Sequence, residues 1–349
     1  MSVSKSIGIL TGGGDAPGLN AVIRAVVKYA CGVKGWRCFG IEESFNGLMF
    51  DDKSVWPLTP KDCQGLLTRG GTVLGTTNRG NPFEEVSPGR TRADLAVEQF
   101  NALGLDGLVV IGGDGTQAIG YRLMKEYGIP VVGVPKTIDN DLEATEFTFG
   151  FWSSVDVATD ALDRLHTTAE SHDRLMVLEV MGRTAGWIAL YSGVAGGADC
   201  IVIPEIPYDP KVLAQKILER RQKGRHFTII VCAEGAKPSP EISTPVGVKG
   251  AGETLAALIG QHVDIEARVT VLGHIQRGGG PIPFDRVLST RYGVKAVELI
   301  EADRWGELVC LRNGEMVGVP LSDIAGKTRE VDPEHPLIHT ARSVGIAFG

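Results

Sequence analysis

Apolar residues in this chain come in short unbroken runs rather than in strict alternation, and between the runs they recur at helical spacing. Ile7 to Leu10, Gly107 to Ile111, Val131 to Val134, Leu175 to Val180, Cys200 to Ile203, Thr228 to Cys232 and Arg268 to Leu272 read as strands, the first and Thr228 to Cys232 as buried ones. Helices are predicted over Leu19 to Cys31, about Thr116 to Tyr127, about Val155 to Ala169, Lys211 to Lys223, Thr254 to Val263 and about Ser289 to Ala302. Gly128 and Pro130 end the second of these. A strand, a loop and a helix repeating in this order imply a mostly parallel sheet with crossover helices, so ligands should gather at the carboxyl ends of the strands. Residues 329–349 carry Pro333 and Pro336 and read as a surface tail or docking segment.

A length of 349 residues suits two α/β domains, and no low-complexity linker or solenoid period divides them. The expected fold class is therefore α/β, as two interlocked three-layer lobes with mostly parallel sheets. The 46 glycines cluster at strand ends, which points to loops that a ligand approaches closely. A formal charge of −7 argues against nucleic acid or an anionic membrane as partner, so any anion site must be local. The six cysteines have no C-x-x-C spacing and suit reduced, buried or inert thiols. Neither a signal-like apolar segment at the start nor a run of ~18 apolar residues is present, and a cytoplasmic location is expected.

Three segments carry candidate chemistry. Gly12-Gly13-Gly14-Asp15 lies between a strand and a helix and offers N–H groups to a phosphate chain, unless it is only a tight turn. Ile111-Gly112-Gly113-Asp114-Gly115-Thr116 repeats the arrangement with Asp114 as a candidate magnesium ligand, a helix-capping role being compatible. Pro135-Lys136-Thr137-Ile138-Asp139-Asn140-Asp141 places Thr137, Asp139 and Asp141 two apart, on one side of an extended segment. There one group can accept a proton while another orients, and an Asx turn is the plainer alternative. Arg174, Arg183, Arg268 and Arg277, with His274, are a set of cations that in an acidic protein suits convergence on an anion such as a sugar phosphate. Singly, each would be a surface ion pair. Together the segments indicate phosphoryl transfer. A dinucleotide-binding oxidoreductase fails, because the glycine loops lack the full G-x-G-x-x-G pattern with its following acid. His335 and His339 have a metal-like spacing but straddle Pro336, and read as structural or solvent-facing.

With Gly8 to Asn20, Met181-Gly182-Arg183 and Gly273-His274-Ile275-Gln276-Arg277-Gly278-Gly279, these segments make the chain resemble the bacterial-type 6-phosphofructokinases over nearly its full length. The GGDGT string alone is less specific, since NAD kinases and diacylglycerol kinases carry it. The resemblance implies ATP-dependent phosphorylation of D-fructose 6-phosphate in glycolysis, with Mg2+ as cofactor. It implies a donor lobe of 1–150 with about 264–317, and a sugar-phosphate lobe of about 151–263 with 318–349. It assigns Gly13, Gly14, Phe45, Asn78, Arg79, Gly113, Asp114, Gly115, Thr116 and Lys136 to the donor. Phe45 matches an aromatic near adenine, although an isolated Phe is core by default.

Asp139 is implied as the base, with Thr137, Asp141 and Arg183 beside it. Ile138, Met181, Gly182, Arg183 and Glu234 face the sugar. Arg174, Arg268, His274, Ile275, Gln276 and Arg277 belong to the sugar-phosphate site, Arg174 and Arg268 coming from a neighbouring subunit. A homo-oligomer, dimer or tetramer, with intersubunit sites follows. The chain is of mixed type. Gly115 resembles the ATP enzymes, while Lys136 resembles the pyrophosphate enzymes, and Asn78 stands where ATP enzymes usually place an arginine, with Arg79 one residue later. Steric exclusion outweighs an added cation, so ATP is expected and pyrophosphate is the alternative. A catalytically silent regulatory subunit is less favoured, because Asp139 is present.

Overall fold

Successive side chains of a strand point to opposite faces, so a run that is apolar throughout, such as Ser6–Thr11 (β1), must be covered on both sides. The computed structural model describes residues 4–50, 54–324 and 326–349. After β1 come α1 (Leu19–Ala30), β2 (Arg37–Ile41), α2 (Asn46–Met49), β3 (Val55–Leu58), β4 (Glu85–Ser87), β5 (Arg90–Thr91), α3 (Arg92–Ala102), β6 (Gly107–Gly112), α4 (Asp114–Tyr127) and β7 (Val131–Pro135). Then follow α5 (Phe151–His172), β8 (Leu175–Val180), α6 (Trp187–Ala195), β9 (Cys200–Val202), α7 (Pro210–Gln222), β10 (Thr228–Ala233), α8 (Ala251–Ile259) and β11 (Ala267–Val271). The last are α9 (Pro283–Glu301), β12 (Glu307–Arg312), β13 (Glu315–Pro320), α10 (Pro336–Ser343) and β14 (Ala347–Phe348).

The chain forms two units. The first comprises Met1–Thr137, Leu142–Trp152 and Arg277–Thr328, and the second Ile138–Asp141, Ser153–Gln276 and Arg329–Gly349. In the first unit a seven-stranded sheet runs β13-β12-β7-β6-β1-β2-β3, antiparallel only at its two outer pairs. Ile7, Ile9, Val109 and Ile111 pack on one face under α1 and α9, while Leu10, Leu108 and Val110 pack on the other under α3 and α4. Burial on both faces is why these strands read as unbroken apolar runs.

The second unit holds a five-stranded parallel sheet, β11-β8-β10-β9-β14. Leu175, Val177, Ile230 and Cys232 pack against Leu213 and Ile217 of α7 and Leu255 and Ile259 of α8. The opposite face carries α6, where Gly193 lies so close to Ile201 that a Cβ would sit 2.5 Å from its Cγ1.

The unit boundaries differ from those expected. Residues 264–276 go with the second unit because β11 pairs with β8, Arg268 lying opposite Met176. Residues 318–328 go with the first, where β13 pairs with β12 as far as Pro320 opposite Glu307. The carboxyl-terminal segment is not a surface tail. α10 buries Ile338 and Ala341, and β14 extends the second sheet along β9. All six cysteines are free; five are buried and Cys31 is half-buried. A hydrogen bond from Cys38 brings the pKa of the Cys31 thiol down to about 7.

Candidate active site

In the first unit the glycine loop leaves β1 under tight constraint. Gly12 N–H donates to Ile111 O at 2.9 Å and Gly13 N–H to Thr77 O at 3.0 Å. Both amides are thus committed to the protein rather than offered to a phosphate, which corrects the simple reading of this loop. The helix that follows starts at Leu19, after the left-handed Gly18, so its amino end is set back from Gly12–Asp15. Gly14 is the exposed member of the loop, and two cations lie on it. Lys136, only 3% exposed, donates its ammonium to Gly14 O. Arg277 donates Nη1 to Asp15 O at 3.0 Å, and a Cβ on Gly14 would meet that nitrogen at 2.8 Å. Lys136 is therefore no surface charge. Arg277, expected beside His274 in the sugar-phosphate site, is held in this structure on the glycine loop.

The second glycine loop ends β6 and begins α4. Gly113 is the N-cap and Asp114 opens the first helical turn, where a negative charge is favourable. Thr116 is buried against Gly12 and Gly112, leaving no room for a Cβ at either, so it acts in packing. Gly115 is exposed, and a Cβ there would meet nothing within 4 Å. Thr76 donates its hydroxyl to Gly13 O at 2.6 Å, and Arg79 N–H bonds the Thr77 hydroxyl at 3.0 Å. The exposed Asn78 and Arg79 are thereby tied to the first loop. Phe45 is 3% exposed within the cluster of Ile41, Leu48, Met49 and Phe100, so its ring is occupied in the core.

Two residues that support this site were given no role by sequence reasoning, although Asn20 closes the Gly8 to Asn20 stretch. Gln117 Nε2 donates to Val110 O, Gly112 O and Val134 O at 3.1, 3.0 and 3.0 Å, joining the carboxyl ends of β6 and β7. Asn20 Nδ2 donates to Arg69 O and Gly70 O, and its Oδ1 accepts from Val73 N–H, fixing the approach to Thr76. Gln117 lies outside the quoted motifs, and its polarity within an apolar helical stripe is its one sign.

Thr137 closes the first unit's part of the third segment, and Ile138, Asp139, Asn140 and Asp141 begin the second's. All five are buried. The segment is not extended. Asn140 has φ of 53°, in the left-handed region, so alternation does not place the acids on one side.

In the second unit Gly182 (φ 148°) and Arg183 (φ 57°) form a turn whose N–H groups donate to Glu234 Oε1 at 3.3 and 2.8 Å. Met181 N–H donates to Gln276 Oε1 at 2.7 Å, and Gln276 Nε2 donates to Ser154 Oγ at 3.1 Å. Gln276 is fully buried and works as a strut, while His274 and Ile275 on the same turn are exposed. Arg174 Nε contacts Glu266 Oε2 at 2.8 Å, and Arg268 bonds the other oxygen of that carboxylate. Arg174 foremost holds the Glu266 carboxyl below its ordinary pKa. One carboxylate thus gathers two of the expected anion-binding arginines at the exposed edge strand β11.

A family model described as phosphofructokinase matches residues 6–300. The chain belongs to the phosphofructokinase family. A protein of Chloroflexus aurantiacus named ATP-dependent 6-phosphofructokinase is 52% identical over 354 aligned positions, covering 100% of this chain and 99% of its own. One of the same name from Spirochaeta thermophila is 47% identical over 362 positions, covering 99% and 98%. Among solved structures, Pichia pastoris phosphofructokinase in the T-state matches with a TM-score of 0.82 and 34% identity over 93% of this chain, which spans 35% of that longer one. A pyrophosphate-dependent phosphofructokinase from Nitrosospira multiformis shares the fold, with a TM-score of 0.82 at 20% identity, covering 95% of this chain and 86% of its own.

Membership of the phosphofructokinase family gives the two glycine loops and the Lys136 cation a common chemical sense. They crowd positive charge and small residues at the carboxyl ends of neighbouring parallel strands, where an α/β sheet receives its ligand.

Proposed function

We propose that this chain is an ATP-dependent 6-phosphofructokinase, moving the γ-phosphoryl group of ATP to the 1-hydroxyl of D-fructose 6-phosphate and releasing fructose 1,6-bisphosphate and ADP. The observation that carries the choice of donor is Gly115, where open space at the start of α4 leaves room for a nucleotide α-phosphate. The full-length relatives named ATP-dependent 6-phosphofructokinase support the same reading.

Asp139 takes the proton of the 1-hydroxyl as that oxygen attacks the γ-phosphorus. The bond to the bridging oxygen breaks, and its electrons leave with ADP. Thr137 and Asp141 orient the base. Lys136 sets a buried positive charge at the donor loop, and exposed Arg79 stands in for the arginine that Asn78 lacks. Ile138, Met181, Gly182 and Arg183 line the sugar, with Glu234 shaping their turn as well as facing a hydroxyl. His274, with Arg174 and Arg268 from a neighbouring subunit of a dimer or tetramer, holds the 6-phosphate.

Among the described residues no group of three or more His, Cys, Asp or Glu is placed to cage a metal. Asp114 suits magnesium all the same, because that ion takes one or two carboxylates and completes its shell with phosphate oxygens and water. When bound, it would neutralise charge on the donor phosphates. The reaction belongs to glycolysis and the protein to the cytoplasm. No helix among the described residues is long and apolar enough to cross a membrane.

A second reading, with pyrophosphate as donor, has buried Lys136 in its favour. The test is turnover of fructose 6-phosphate with ATP and, separately, with pyrophosphate. The proposal expects turnover with ATP at the greater kcat/KM. A preference for pyrophosphate would replace the donor, and no turnover with either would remove the function.

A further inference from the structure

We propose that Arg329 is a positioning residue for the catalytic base, holding the Asp139-Asn140-Asp141 turn in its reactive shape through the main chain of Asn140 and Asp141. This rests on the functional reading above. Asn140 sits in the left-handed region, at φ 53°, which asparagine adopts more readily than other non-glycine residues though less readily than an ordinary backbone conformation, so neighbours help to fix the turn. Arg329 supplies them. Its Nη2 and Nε donate to Asn140 O at 2.9 and 3.2 Å, and its backbone N–H donates to Asp141 O at 2.8 Å. One residue therefore grips two consecutive carbonyls directly after the base.

The grip is itself anchored. The guanidinium lies 4.6 Å from the centre of the Trp187 ring, and Trp187 Nε1 donates to Arg329 O at 3.0 Å. Trp187 is 5% exposed at the start of α6, so its ring is a fixed support. Gly186 N–H and Val331 N–H both donate to Glu205 Oε1, at 2.9 and 2.8 Å. That carboxylate ties the residue before the tryptophan to the strand of chain that carries Arg329. A planar fork stacked on an indole can hold a carbonyl in a fixed direction, which a lysine's rotating ammonium does not do. Arg329 lies beyond the stretch matched by the family model, and 189 residues from Asn140, which is why no motif points to it.

The test uses the full chain with fructose 6-phosphate and ATP, comparing the parent with Arg329→Lys and Arg329→Ala for kcat, both KM values and thermal stability. Arg329→Lys keeps the charge, the stem on Trp187 and the backbone N–H, and loses only the forked contact. Its kcat is expected to fall by about tenfold or more while KM for the sugar phosphate stays within about threefold, because misplacing a reacting group by an ångström can cost ~10²-fold. Guanidinium ion at low, non-denaturing concentration should restore part of the kcat of Arg329→Ala, where ammonium does not. A folded Arg329→Lys protein with the parental kcat overturns the inference, as does a defect confined to KM. A parent that turns over neither donor overturns the functional reading instead, and the inference falls with it.

Discussion

A Cβ at Gly12 would lie 2.7 Å from Ser44 Oγ, and one at Gly14 would lie 2.8 Å from Arg277, whereas at Gly115 it would meet nothing within 4 Å. Packing thus explains Gly12, Gly14 faces only the movable end of the Arg277 side chain, and nothing in the fold requires Gly115. Gly115 also has an ordinary backbone conformation within the first turn of α4, where an aspartate suits the helix dipole. We therefore expect Gly115→Asp to change stability by no more than about 1 kcal/mol, as for a surface substitution near a helix start, while removing most activity with ATP. The carboxylate would add bulk and like charge where the α-phosphate must pass. Pyrophosphate lacks that phosphate and should be spared. Melting curves and initial rates with both donors on the same preparation check this, and a parental ATP rate in the mutant would refute it. At this scale the sequence singled out residues whose chemistry is unusual for their place, such as Asp114 at a helix start and Asp139 in a buried segment, and their roles rest on the proposed function. It was not legible where several roles fit one residue: Phe45 went to the core, and Arg277 to the glycine loop.

Central strands and long helices were readable because burial on both faces of β1, β6, β8 and β10 writes unbroken apolar runs. The outer elements were not. β14 is two residues long, and β13 is buried only at Val319, so neither leaves a periodic signal. Gln117 shows what such reading misses between elements. Its amide serves three carbonyls across β6 and β7, with Oε1 buried and unbonded among the described residues. Gln117→Leu should cost about 2 kcal/mol, from stranded buried acceptors, in urea unfolding. Gln117→Glu should cost more at neutral pH than in mild acid, because only a protonated carboxyl can donate to those carbonyls. Equal stability of either variant and the parent would show that the amide is not a tie. α10 offers a second test. His335 Nδ1 accepts from Leu337 N–H at 3.2 Å, and its pKa lies below the ordinary 6.5, from burial first and then the charge of Arg329. A histidine with a depressed folded-state pKa contributes stability above its unfolded pKa and loses it as pH falls through the folded value. His335→Asn, which caps at any pH, should therefore flatten the decline in stability between pH 7 and 5. An unchanged pH profile would exclude this role.

At the scale of the whole molecule, the two arginines gathered by Glu266 suggest where one chain serves another. Arg268 lies on β11, the edge strand of the second sheet, Arg174 directly precedes the adjacent β8, and β11 leaves Val271 55% exposed. If the proposed oligomer completes each site with a neighbour's Arg174, then Asp139→Asn and Arg174→Ala damage different halves of a shared site. Each mutant alone should be nearly inactive, Asp139→Asn through kcat with substrate binding largely retained, and Arg174→Ala through weaker binding of the sugar phosphate. In a mixed pair across a two-fold interface, one site unites both lesions and the other contains neither. Dissociating an equal mixture and reassembling it at random should then recover about a quarter of the parental activity, since half the pairs are mixed and each has one intact site. Recovery must follow the fraction of mixed oligomers, measured by a mass tag on one mutant. A subunit with both groups in its own site predicts no recovery at any mixing ratio. Mixed oligomers that form fully and remain as inactive as the separate mutants would place Arg174 in the site of its own chain.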